Sequence, residues 1–347
     1  MPPSRQRLVL IAKTATTVLI IGVSAYFFVR NVDFGELKES FRSADYVVAL
    51  SIIPLILLSH YVRAHRWKVM LAYIHPGVGT WNLFVGVMLG YFMNNIIPRS
   101  GELVRPYVTA DRERAAGATF SSLFGTIVIE RFIDTVALLA VIAIVLVFDT
   151  ALFSGIAGFE DAVRGLLYPM IILGVLFLFV APSALGHRIA DLFTRPFPER
   201  FRERVMDIFT KLQTGFRAIR TLRQATIVIA DTIVINFLYM VPLYVMFFAV
   251  RSGPTLHPTL FHAVEVYAIT ALAYAVAPTP GAFGVFHITA RVATMRLLHF
   301  SEADAVAYAT IMHFINYTTV MIVGAVFIFL FNLSTKSLLG KNRSTSE

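Results

Sequence analysis

Long apolar stretches with few or no charges recur along this chain, near residues 8–29, 46–63, 81–97, 118–148, 166–182, 225–250, 260–277 and 303–331. An α-helix of about 20 such residues crosses the roughly 30 Å hydrocarbon core of a bilayer. Lipid offers no partners to backbone N–H and C=O groups, so a spanning segment must pair them internally, as a helix or a closed barrel. The expected fold class is therefore all-α, a polytopic helical membrane protein forming one integral membrane domain over residues 1–347.

Two of the stretches are interrupted. Asn94-Asn95-Ile96-Ile97-Pro98-Arg99-Ser100-Gly101-Glu102 breaks one, and Ala277-Pro278-Thr279-Pro280-Gly281-Ala282-Phe283-Gly284 breaks the other. A broken helix at membrane depth is tolerated only where its freed backbone is buried in protein or lines a wet cavity. A matched pair of breaks in the two halves of a chain is a pointer to a binding site near the midplane.

Loop charge sets the expected topology, because cytoplasmic loops are enriched in Lys and Arg. Arg5 and Arg7 place the N-terminus inside, and Lys13 precedes an apolar run without a clear small-residue cleavage site, as in a retained first helix. Residues 33–45 mix Phe34, Leu37 and Phe41 with charges, the pattern of a short surface helix or a solvated loop. His60, Arg63, His65 and Arg66 fall at the cytoplasmic end of the second segment, where snorkelling accounts for them. If residues 81–97 crossed fully, Arg99, Arg105, Arg112 and Arg114 would lie outside, against the rule. A re-entrant hairpin turning at Pro98 to Gly101 keeps them inside. The basic loop 186–223 is then cytoplasmic and suited to an anionic leaflet, and the second break is a hairpin entering from outside. The count becomes six full crossings plus two re-entrant hairpins in the cytoplasmic membrane, with both termini cytoplasmic.

The halves also align weakly as an inverted repeat, with candidate units 75–148 and 257–332. Setting Pro98 on Pro278, with a two-residue offset, brings Arg131 opposite His313 and Asp134 opposite Asn316.

Between Ala115 and Val147 the only charges are Glu130, Arg131 and Asp134. Each ionised group at the bilayer centre costs about 2.5–3.5 kcal/mol on insertion scales, so the three must pair or face a cavity. Positions 130 and 134 share a helix face, and Arg131 reaches Asp134 at the i, i+3 spacing. Arg99, Glu102 and Arg105 follow the first break, and arginine's planar fork of donors suits phosphate. The candidate substrate-binding set is Asn94, Asn95, Pro98, Arg99, Gly101, Glu102, Arg105, Glu130, Arg131, Asp134, Pro278, Pro280, Gly281, Gly284, His313 and Asn316. A structural ion pair is the competing reading of the acidic residues, and a histidine hydrogen-bonded between helices that of His313.

The absence of cysteine excludes disulfides, thiolate metal sites and cysteine nucleophiles. No nucleotide, zinc or nucleophile-elbow motif is present, so neither cofactor nor metal is expected and no residue is assigned as catalytic. The net charge of +9 is explained by cytoplasmic loops without nucleic acid. The sequence is compatible with a homo-oligomer.

The run from Asn94 to Arg105, then Glu130-Arg131-Phe132-Ile133-Asp134, then Pro278 to Gly284, resembles the membrane domain of lysylphosphatidylglycerol synthases and its stand-alone, flippase-like relatives. The likeness extends over nearly the whole chain. It departs from the family near Ala282 and His287, where a second glycine and an acidic residue would be expected. The resemblance implies movement of lipids between leaflets. In bifunctional members a separate soluble domain performs aminoacyl transfer; none is expected here, since about 16 residues follow the last apolar segment. The leading expectation is a non-enzymatic lipid flippase or transporter for a polar, phosphate-containing headgroup. The two hairpins would line one cavity, with Arg99, Arg105 and Arg131 on the headgroup and Glu102, Glu130 and Asp134 orienting them or taking up protons. A membrane-embedded transferase using Glu130 or Asp134 as general base, and an envelope scaffold using the basic loop, are the rivals.

Overall fold

Local capping decides where the first helices start. Asp33 accepts from the N–H groups of Gly35 and Glu36 at 2.6 and 3.0 Å and opens α1 (Phe34–Ser43). Asp45 does the same for Val47 and Val48 at the head of α2 (Tyr46–Leu50), with α3 (Ile53–Leu71) following directly. Such caps satisfy N–H groups that have no intrahelical acceptor. The computed structural model describes residues 28, 32–149, 221–250, 257–276 and 279–331, together with scattered positions between 188 and 206. The expected segments at 8–29 and 166–182, the chain ends, Pro278 and most of the basic loop lie outside the described residues.

All regular structure among the described residues is helical. The remaining elements are α4 (Thr80–Ile96), α5 (Gly101–Arg112), α6 (Phe120–Phe148), α7 (Leu222–Ala249), α8 (Leu260–Val276), α9 (Val285–Leu298) and α10 (Glu302–Leu330). Among the described residues, four helical spans are long and apolar enough to cross a membrane: Tyr46–Leu71, Phe120–Phe148, Leu222–Ala249 and Glu302–Leu330, of 26 to 29 residues. The helices around the two breaks are shorter. α4 and α5 have 17 and 12 residues, and α8 and α9 have 17 and 14. At 1.5 Å per residue these arms reach only about 18 to 25 Å.

The chain divides into two units. The first takes the described residues up to Ile56, Asn94–Pro98 and Tyr239–Met321. Its core is aromatic and alanine-rich: Phe247 stacks on Tyr308 at 5.3 Å, and the Tyr308 hydroxyl donates to the Leu243 carbonyl at 3.0 Å. Buried Ala305 and Ala309 lie along the same cluster. α1 is tied to the start of α10 where Ser40 donates to Asp304 at 2.7 Å, while Ser301 caps that helix by accepting from the Asp304 N–H at 3.1 Å.

The second unit takes Leu57–Met93, Arg99–Leu238 and the described residues from Ile322. Here α4 and α5 approach backbone to backbone. A Cβ on Gly86 would fall 2.3 Å from Thr109 Oγ1, and one on Gly90 would fall 3.2 Å from both the Gly101 carbonyl oxygen and Arg105 Cβ. Gly86 and Gly90 form a Gly-x-x-x-Gly face, which lets membrane helices pack at close range. α5 in turn packs on α6, which opens at Thr119 with a reciprocal capping box to Ser122.

Candidate functional site

α3 does not end at the second apolar stretch. It runs on through Arg63, Arg66 and Lys68 to Leu71, and Arg63 and Arg66 are buried, with Arg66 fully so. The spacing i, i+3, i+4 puts Arg63, Arg66 and Trp67 on one face, and this face meets the acidic turn of α6. These arginines are therefore not interfacial anchors: burial within an ion network replaces snorkelling. Of their neighbours, His65 stays half-exposed and reaches Asp231 at 2.8 Å, while His60 is buried against the Tyr91 ring at 4.4 Å.

Glu130, with no exposed surface, is the hub. Arg63 Nη1 donates to its Oε1 at 2.5 Å, Arg105 Nη1 at 2.9 Å and Arg131 Nη2 at 3.3 Å, with Arg66 Nη2 at 3.4 Å. Asp134 takes Arg63 at 2.8 Å and Arg66 at 2.7 Å, and lies 3.7 Å from Arg131. Four guanidinium groups thus surround two carboxylates. The arginines are held from behind: Arg66 Nη1 donates to Thr232 Oγ1 at 2.9 Å, and the Arg105 guanidinium carbon lies 3.9 Å from the centre of the Trp67 ring. Trp67 is fixed by its Nε1 donating to Thr126 Oγ1 at 2.8 Å. The glycine contact between α4 and α5 brings Arg105 into range.

The network is closed on one side and open on the other. Arg63, Arg66, Arg105 and Glu130 side chains expose 5% or less, whereas Asp134 exposes 22% and Arg131 41%. Arg131 lies about 17 Å along α6 from Phe120 and about 26 Å from Phe148, well inside a helix that spans. Arg131 is thus a half-exposed charge in the interior of a spanning helix, where contact with hydrocarbon is costly.

The candidate residues therefore separate. Arg105, Glu130, Arg131 and Asp134 come together as expected. Arg99 sits exposed in the turn with φ 62°, and neither it nor Glu102 makes an ion pair among the described residues. Pro98 is in that turn, Asn94 and Asn95 belong to the last turn of α4, and Gly101 is the buried first residue of α5. In the first unit the second break is a short 3-10 turn (Pro280–Ala282) with Gly281 at φ 56° and Gly284 at φ 80°. His313 on α10 donates from Nε2 to the Gly281 carbonyl oxygen at 2.6 Å. Around it, Phe283, His287 and Tyr317 place ring centres 4.4 to 5.9 Å away. A Cβ on Gly281 would fall 2.8 Å from the Tyr317 ring and 3.5 Å from Asn95 Oδ1, so the turn is tight as well as left-handed. Asn316 is exposed, whereas His313 is buried. Outside the spans, burial lowers the pKa of His75, which is bonded to Ser122 at 2.7 Å, while hydrogen bonds from Arg202 and Arg195 lower that of Asp191.

Residues 11–324 match the family described as Lysylphosphatidylglycerol synthase TM region. The chain belongs to this family. A UPF0104 membrane protein of Methanothermobacter thermautotrophicus is 31% identical over 143 residues, 38% of this chain and 41% of that protein. A UPF0104 membrane protein of Methanocaldococcus jannaschii is 31% identical over 131 residues, 35% and 37% respectively. The matched region thus spans roughly two fifths of these curated relatives. No solved structure matches. The chain is a multi-pass helical membrane protein.

Proposed function

We propose that the protein is a lipid carrier that holds a phosphate-bearing headgroup at the arginine network of the second unit and moves it between leaflets of the cell membrane. The carrying observation is the combination of a buried four-arginine, two-carboxylate network with an open edge at Arg131, part-way along a membrane-spanning helix. A network serving only to lock helices together would have no need of that opening. Family membership supports a membrane-embedded role, and the resemblance in sequence supports lipid as cargo.

The short arms on both sides of each break support two re-entrant hairpins alongside full crossings, and the loop charges favour both termini in the cytoplasm. The reading as a carrier is favoured over a transferase by the state of the carboxylates. Glu130 is shared among four guanidinium groups and Asp134 among three, whereas a general base needs a carboxylate free to take a proton from its substrate.

The test is reconstitution of the full chain in vesicles carrying a headgroup-labelled phospholipid in one leaflet. The expected result is transfer of label to the other leaflet, lost in Arg131→Gln. Product formation in detergent, without two leaflets and with no transfer in vesicles, would replace the carrier by the transferase.

A further inference from the structure

The arginine network carries more positive than negative charge, and the surplus has a shape. Four guanidinium groups meet two carboxylates, leaving an excess of two positive charges among the described residues. His60 and Tyr91 also pack here, and Asp231, next to the Thr232 that holds Arg66, is taken up by His65 at 2.8 Å. Water could fill hydrogen-bonding positions but would not cancel the charge.

The donors left over are also specific. Arg105 uses Nη1 for Glu130, while its Nε and Nη2 are buried with no hydrogen-bond acceptor among the described residues. Those two atoms form the side edge of the guanidinium, the one that takes two oxygens of a single oxyanion in parallel. Arg131 likewise leaves Nε without an acceptor among the described residues, and it donates to the same Glu130 Oε1 as Arg105, so the two arginines with unfilled donors meet at one carboxylate oxygen. Trp67 beneath Arg105 fixes the plane of that fork, and the exposed side of the network is at Arg131 and Asp134.

We infer that this site takes a dianionic phosphomonoester, with Arg105 gripping two of its oxygens and Arg131 the third, in preference to a singly charged phosphodiester. The inference rests on the proposed carrier function and narrows its cargo to lipids ending in a bare phosphate. A diester would leave one of the two surplus charges uncancelled and offers fewer free oxygens to the fork.

The experiment measures binding of two lipids with identical acyl chains, phosphatidic acid as monoester and phosphatidylglycerol as diester, to the purified full chain in mixed micelles. At pH 8 phosphatidic acid is expected to bind at least about tenfold more tightly, and the preference to shrink as the pH falls through about 6, where a phosphomonoester loses its second charge. Arg105→Lys, which keeps the charge and removes the fork, is expected to abolish the preference, while Arg296→Gln at an exposed position of α9 leaves it intact. Because Arg105→Lys could disturb packing on Trp67, the pH dependence of the wild-type chain stands as an independent readout. Equal affinity for the two lipids at pH 8 overturns the inference and leaves lipid carriage standing. Inorganic phosphate binding as tightly as phosphatidic acid overturns a lipid source for the dianion. A retained monoester preference with no transfer of any lipid in vesicles upholds the inference and removes the carrier reading instead.

Discussion

The second-unit network and the first-unit break solve the same problem with opposite chemistry. Both hold polar groups within an apolar protein. Around Glu130 the chain gathers full charges from three helices and leaves an opening at Arg131. Around Gly281 it uses one neutral hydrogen bond from His313 and a jacket of aromatic rings. The first arrangement is dominated by electrostatics and fails if one partner is removed; the second is dominated by packing and backbone geometry and degrades by degrees.

The sharpest way to break that contrast is Glu130→Gln, which keeps the shape and leaves four guanidinium groups around a single carboxylate. Removing one partner of a buried pair typically costs about 3–5 kcal/mol, so thermal unfolding in detergent is expected to show a collapse of stability or no recoverable protein. A Glu130→Gln variant as stable as the parent would mean that the surplus charge is already neutralised by another group.

Gly90→Leu comes next. Its side chain would push against the Gly101 carbonyl and Arg105 Cβ, separating α5 from α4 at a cost of about 1–3 kcal/mol. Because α5 delivers Arg105, phosphatidic acid binding is expected to fall together with unfolding temperature. In the first unit, His313→Ala leaves the Gly281 carbonyl without its donor, costing about 1–3 kcal/mol, and is expected to lower stability while sparing the monoester preference. Loss of that preference would show that the neutral site and the charged site act together.

The smallest expected effect is on pH dependence. Burial depresses the pKa of His75 in the folded chain, with its backbone contact to Ala116 opposing only in part. As the pH falls through about 6.5, the unfolded chain takes up a proton that the folded chain refuses, so this contribution to stability declines on the acid side and is constant above it. Comparing unfolding temperatures at pH 7.5 and 5.5 for the parent and His75→Gln should show a shallower acid loss in the variant.

The sequence singled out the charges of α6 and only part of the ion network around them. Glu130, Arg131 and Asp134 stand out because charge is rare in a stretch that must cross lipid. Arg63 and Arg66 do not, because they sit where an apolar run gives way to Lys68 and look like ordinary boundary arginines. The missed signal was their i, i+3 spacing with Trp67 next to Arg66, which builds one buried face. Gly86 and Gly90 were legible as a packing motif in principle, but nothing in the sequence names α5 as the partner. Conversely, Asn316 shares the i, i+3 spacing with His313 and is still exposed, because a spacing of three residues permits a common face without enforcing one when neighbouring helices cover only part of it.

The order in which the charged groups lie along the chain has a consequence for biogenesis. Arg63, Arg66 and Arg105 are all translated before Glu130 and Asp134. A nascent chain therefore holds three arginines destined for burial with no acidic partner of this network yet made, and an isolated guanidinium at membrane depth is costly. α3 and α5 are therefore expected to settle fully only after α6 emerges. Ribosomes stalled before residue 130 should expose a half-built bundle to quality-control proteases, whereas a few dozen codons later the same helices should be locked in place.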